Sequence, residues 1–156
     1  MNSIHATLVR QQLKTFNCSY STEYKSFIIN HIFSDPQHPL HEARRRAHKH
    51  RKEEGLWWHI TTAATLSKSS VVRSWVRRRL RNAFTEELKA RGIREDGRIL
   101  HKDMLRTSLR GLRMVLDSGK DLSLEGGLRL HARPEVIAAK FVEVRNETGF
   151  VIDALL

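Results

Sequence analysis

Val71 to Gly92 reads VVRSWVRRRLRNAFTEELKARG, and the way this stretch folds decides how the rest of the chain is read. On a helix, Val72, Val76, Leu80, Phe84 and Leu88 fall at successive i, i+4 positions, with Trp75 and Ala83 beside them. That stripe is wide enough to dock on a core, and Trp75 is expected to be part of it. Arg73, Arg77 and Arg81 run as a ridge along the flank, and Arg78 and Lys89 lie further round. Five of the nine residues from Arg73 to Arg81 are arginine, with no carboxylate among them; Glu86 and Glu87 come late. A helix fixed on one side and cationic on the other holds several guanidinium groups at set spacing. Phosphate is the commonest ligand for such an array, because guanidinium pairs with it bidentately. The competing reading is a solvated helix face.

The totals point the same way. The chain has 156 residues, a net charge of +11 and 40% hydrophobic residues, which suits one globular domain with a polyanionic partner. The charge is uneven: residues 1–91 hold 17 Lys/Arg against 7 Asp/Glu, and residues 92–156 hold 11 against 10. The basic surface therefore belongs to the first part of the chain, and the last third reads as scaffold. A single cysteine, Cys18, excludes an intrachain disulfide framework and any multi-cysteine zinc site. No run approaches the roughly 18 apolar residues of a membrane-spanning helix.

Before the helix, residues 1–22 contain no acidic residue and two basic ones, the composition of a mitochondrial leader or of a frayed tail. Residues 23–54 read as linker and basic arm. Phe27-Ile28-Ile29 with Ile32-Phe33 is a small apolar knot, and Pro36 and Pro39 mark an extended linker. HEARRRAHKHRKEE, His41 to Glu54, forms helix readily yet has little to bury. It is expected to be an exposed helix or a disordered arm carrying Arg44, Arg45, Arg46, Lys49, Arg51 and Lys52. Leu56 to Leu66 is rich in aromatic and β-branched residues and reads as a strand. Within it, either one of Trp57 and Trp58 points inward and the other outward, or packing helices bury both. In the first case Trp58 is assigned outward, between arm and helix, where it could stack on an unpaired base. Ser67-Lys68-Ser69-Ser70 turns into the arginine-rich helix, with Ser69 or Ser70 as N-cap and Lys68 adding a cation. Gly92 is the stop signal.

Beyond it, Ile93 to Arg98 reads as a turn around Asp96-Gly97, and Asp103 to Asp117 as a second amphipathic helix. Leu128 to Arg133 alternates Leu128, Leu130 and Ala132 against Arg129, His131 and Arg133, a half-buried strand with a cationic outer face. Pro134-Glu135 opens a third helix, which Gly149 closes.

Chemistry was sought along the chain with little result. His48 and His50 are two apart and diverge on a helix, and no acidic or cysteine partner stands at ligand spacing. Glu53-Glu54 and Glu86-Glu87 are adjacent pairs that diverge in the same way, and no phosphate-loop, dinucleotide or nucleophile-elbow motif is present. No catalytic residue, metal site or cofactor is assigned.

Val71-Val72-Arg73-Ser74-Trp75-Val76-Arg77-Arg78-Arg79-Leu80-Arg81-Asn82-Ala83-Phe84 resembles the arginine-rich helix of the bacterial ribonuclease P protein subunit, whose pattern is V-V-R-N-R-x-K-R-x-L-R-x-A-F. Leu130-His131-Ala132-Arg133-Pro134 is similar to that family's later strand ending in A-R-P. The resemblance implies a helix lying against RNA, with Arg73, Arg77, Arg78 and Arg81 at RNA-contacting positions. It spans about 14 residues plus five weaker ones of the 156. Ser74-Trp75 replaces the family's Asn-Arg pair, and residues 93–127 add a segment that the family lacks. Transfer-RNA processing is therefore not carried over.

Together these readings give an α+β domain over residues 55–156, about three helices packed with two or three short strands, preceded by the basic arm. The expected function is non-catalytic RNA binding through phosphate contacts from the arginine ridge and the arm. The setting that its composition suits is a mitochondrial ribosome or RNA-processing complex, where other proteins of a ribonucleoprotein would be neighbours. Two alternatives belong to other classes. One is an interaction module whose basic helix docks on an acidic protein or an anionic membrane. The other is an RNA-processing enzyme or its protein subunit, with His59, His101 and His131 as the side chains to inspect. The sequence does not separate RNA from DNA.

Overall fold

Leu128, Leu130 and Ala132 are buried and alternate with the half-buried Arg129 and His131, the period-two pattern of a strand with one face in the core. In the computed structural model they form strand β3, Gly126–Ala132, the centre of a three-stranded sheet. The structure describes residues 12–24, 30–101 and 123–156. Over these residues the chain runs β1 (Phe16–Ser21), α1 (Asn30–Ser34), α2 (His41–His50), β2 (Leu56–Thr62), α3 (Ser70–Ala90), β3, and α4 (Phe141–Leu155). The architecture is α+β. The helix expected over Asp103–Asp117 and the Phe27–Ile29 part of the apolar knot lie outside the described residues.

The sheet order is β1-β3-β2, with β1 antiparallel and β2 parallel to β3. Register places Phe16, Cys18 and Tyr20 opposite Ala132, Leu130 and Leu128, and Trp58 and Ile60 opposite Leu128 and Leu130. These residues share one face, against which α3 and α4 pack to close the core. The expectation of a leader or frayed tail over residues 1–22 and of a domain beginning at residue 55 is corrected by β1. Phe16 is fully buried, and the backbone of Lys14 and Thr15 donates to the Glu147 carboxylate on α4 at 3.1 and 3.0 Å. FNCSYS alternates Phe16, Cys18 and Tyr20 with Asn17, Ser19 and Ser21, and it gains its hydrogen bonds from β3, more than a hundred residues away in the chain. Burial pushes the Cys18 thiol up to about 12, so it stays protonated in the core.

Helix α3 buries Val76, Leu80, Ala83, Phe84 and Leu88. It ends as its sequence dictates. Gly92 takes φ +70°, its N–H donates to Lys89 O at 3.0 Å and the Ile93 N–H to Leu88 O at 2.9 Å, a Schellman closure with Ile93 packed into the core. The turn around Asp96-Gly97 then returns to β2, where Asp96 O accepts from the Leu56 N–H at 2.8 Å.

Two further expectations change. The segment from Pro134 to Ile137 is a short 3-10 turn, and α4 starts only at Phe141, where Glu143 accepts from the Lys140 N–H at 3.1 Å. Gly149 does not end the helix. It lies inside α4 where α3 comes closest, and a Cβ there would stand 2.9 Å from Arg91 Nη2 and 3.1 Å from Glu87 Oε2.

That seam is held by charge. Glu87 on α3 accepts from Arg91 at 2.6 Å and from Arg145 of α4 at 2.7 Å, and Arg91 donates to Asp153 at 2.7 Å. Burial alone would push the Glu87 carboxyl up, but the hydrogen bonds and charges of Arg91 and Arg145 outweigh it and hold the group below its ordinary value. A carboxylate depressed by folding stabilises fully above its unfolded pKa near 4.5, and the contribution is lost as pH falls through the folded value. Glu87→Gln is therefore expected to lower stability at pH 7 by about 2 kcal/mol, less than for a fully orphaned buried charge because Asp153 still pairs with Arg91. It should also blunt the loss of stability on acidification below about pH 4.5. Urea unfolding across pH measures both effects.

Candidate nucleic-acid interface

Packing of one stripe of α3 on the core leaves its far side to solvent. Arg77, Arg78 and Arg81 are exposed there. Arg77 donates to Ser74 Oγ at 3.1 Å, one turn back on the same helix. Among the described residues, Arg78 and Arg81 form neither an ion pair nor a side-chain hydrogen bond. No carboxylate occurs on α3 before Glu86, and both Glu86 and Glu87 are turned to Arg145. Arg77–Arg81 and Arg78–Arg81 are neighbours at i, i+4 and i, i+3, so this face repels itself at a cost of a few tenths of a kcal/mol per pair.

Not every arginine of the ridge belongs to that surface. Arg73 is half-buried and folds back to donate to Ser67 O at 2.5 Å and Lys68 O at 3.1 Å, closing the turn that enters the helix. Ser69 stands at the N-cap position without a side-chain cap hydrogen bond, so Arg73 satisfies this corner from inside the helix. The Lys68 side chain is exposed beside it. Arg79, which the sequence reading left aside, donates to Ala139 O and lies over the Trp75 ring at 4.8 Å.

The tryptophans exchange roles. Trp58, assigned outward as a stacking residue, faces the core: its ring lies 4.8 Å from that of Phe84 and its Nε1–H donates to Glu95 O at 2.9 Å. Trp57, one residue earlier, points to the opposite face and is also buried, met by Tyr24, by His48 of α2 and by the Arg51 guanidinium 3.8 Å over its ring. Trp75, expected in the core, is 38% exposed.

Those contacts of Trp57 place the arm. Helix α2 has no buried residue, and Arg44, Arg45, Arg46, Lys49 and Lys52 are exposed; Arg45 makes a loose ion pair with Glu42 at 3.5 Å. Because α2 meets the sheet at Trp57 and α3 meets it at Trp58, arm and ridge lie against opposite faces. The two cationic groups are not one continuous patch.

Between them on the arm's side, the sheet shows a second polar group. Arg129 Nε donates to Thr61 Oγ1 at 3.0 Å, and Thr61 Oγ1 and His131 Nδ1 are 2.9 Å apart. Burial lowers the His131 and His59 pKa values, helped by Arg129 and Arg51 respectively, so neither imidazole carries charge at neutral pH. His59 shares this face one register step away, opposite Arg129, whereas His101 lies at the Gly92 turn, where the Gly92 carbonyl accepts its N–H. The alternation in Leu128 to Arg133 signalled the cationic outer face; the pairing of Thr61 with His131 needed the parallel register of β2.

No helix among the described residues is long and apolar enough to cross a membrane. Comparison of the chain with protein-family models, with curated proteins and with solved structures finds no match.

Proposed function

We propose that this protein binds RNA without catalysis, through the outward face of α3, and works as a component of a ribonucleoprotein. The observation that carries the reading is Arg78 and Arg81, exposed and without a partner among the described residues, on a helix with no carboxylate before Glu86. A face that repels itself in the free protein is relieved when an anion arrives, and a sugar-phosphate backbone supplies anions in a row. The likeness of Val71–Phe84 to the arginine-rich helix of the bacterial ribonuclease P protein subunit supports RNA as the ligand. Arg77, Arg78 and Arg81 are the phosphate contacts; Arg73 supports the turn. The arm's Arg44, Arg45, Arg46 and Lys49 form a second contact for RNA that reaches round the sheet edge. A mitochondrial ribosomal or RNA-processing complex is the setting that suits this composition.

The test is a fluorescence-anisotropy titration with a structured RNA, a single-stranded RNA, duplex DNA and vesicles rich in anionic lipid. Micromolar or tighter binding of RNA, surviving competition by the vesicles, is the expected result. Preference for the vesicles, with RNA unable to displace them, would transfer the basic face to a membrane role. Equal and weak binding of all four would refute the nucleic-acid reading.

A further inference from the structure

Resting on that reading, we infer that Trp75 is a stacking platform for one unpaired base of the bound RNA, held ready by Arg79. Three observations converge on it. Trp75 lies at the edge of the arginine face with 38% of its surface open, although an indole of this size is normally covered. Arg79 sits one helical turn further on with its guanidinium 4.8 Å over the ring, and is itself anchored to Ala139 O, so the indole is fixed before any ligand arrives. The residues round it on the exposed side of α3 are Ser74, Arg78 and Asn82, with Val71 72% exposed one turn before.

This surround decides the kind of ligand. An apolar protein patch covering Trp75 would also cover Arg78 and strip its water without offering an anion. A nucleotide brings both parts: a flat base for the indole and a phosphate for the neighbouring guanidinium. A ring already pinned by Arg79 loses little freedom on stacking. Asn82, two turns along the same line, presents an amide that can both donate to and accept from a base edge. In the bound state the base lies on the open face of the indole and Arg79 on the other.

Two probes test this with the full chain: a short unstructured RNA and an abasic sugar-phosphate strand of the same length. Trp75→Ala should weaken binding of the RNA roughly 5- to 100-fold, while Trp75→Phe keeps most of it and the abasic strand binds all three proteins alike. RNA, and not the abasic strand, should quench tryptophan emission of the wild type, and Trp75→Phe should lose that quench. The quench needs no folded alanine variant. RNA binding by Trp75→Ala equal to the wild type would overturn the stacking role and leave the arginine face standing. An equal loss on RNA and on the abasic strand would overturn it too, since Trp75 would then act through the fold. Failure of the wild type to bind RNA at all would overturn both this inference and the proposed function.

Discussion

Phe16→Ala is expected to destabilise the protein by about 3–5 kcal/mol, and deletion of residues 1–22 to prevent folding altogether. Phe16 is fully buried in a cluster with β3, α3 and α4, and truncation leaves a cavity that close-packed neighbours fill only in part. Deletion does more. It removes the ladder from Phe16↔Ala132 to Ser21↔Gly127, opens one edge of β3, and leaves Glu147 without the two backbone donors and the Thr15 hydroxyl that it accepts from. An exposed edge beside an apolar pocket favours association, so the shortened chain should be recovered as aggregate. Circular dichroism with urea unfolding measures the point variant, and solubility with size-exclusion chromatography measures the deletion. A shortened chain that unfolds cooperatively at the wild-type midpoint would mean that β1 contributes nothing to the core.

Reversing the charge of Arg77, Arg78 and Arg81 to glutamate should reduce RNA binding roughly 100-fold or more near physiological salt, because each change removes a counterion-releasing contact and adds a repulsive one. The fold should survive. All three side chains are exposed, and the one protein contact among them is the bond from Arg77 to Ser74. Stability should stay within about 0.5 kcal/mol of the wild type or rise, since the helix loses its self-repulsion. Arg73→Glu should behave in the opposite way. It breaks the bonds to Ser67 O and Lys68 O and costs stability, with an effect on RNA that follows from the damaged turn. The contrast separates a ligand-binding arginine from a structural one.

Much of the fold was legible because local periodicity carried it. The stripe from Val76 to Leu88 marked the buried side of α3, and the alternation through Leu128 and Leu130 marked β3. What failed had distant causes. FNCSYS has one strong hydrophobe and polar neighbours, and only its register against β3 makes it a strand. Helical spacing sets Trp75 beside the apolar stripe, but the sheet and α4 cover a narrower arc than the stripe suggested, and Trp75 falls outside it. Gly149 looked like a stop, yet its lack of a Cβ serves the approach of Arg91 and Glu87 from another helix. For the interface, composition identified α3 as cationic, and Arg77, Arg78 and Arg81 are where that face is open. It could not show that Arg73 turns back on the chain, that Trp58 faces the core, or that the arm lies across the sheet from the ridge.

The salt dependence of binding to one structured RNA, compared between the wild type and Arg78→Gln/Arg81→Gln, tests the phosphate-binding face most directly. Binding by the wild type should weaken steeply with salt. Neutralising two contacts should lower the slope of log K against log salt by about 1.4 to 1.8, at 0.7 to 0.9 for each phosphate released. A wild-type slope near zero, or one that the double variant leaves unchanged, would contradict the assignment of Arg78 and Arg81 to RNA phosphates.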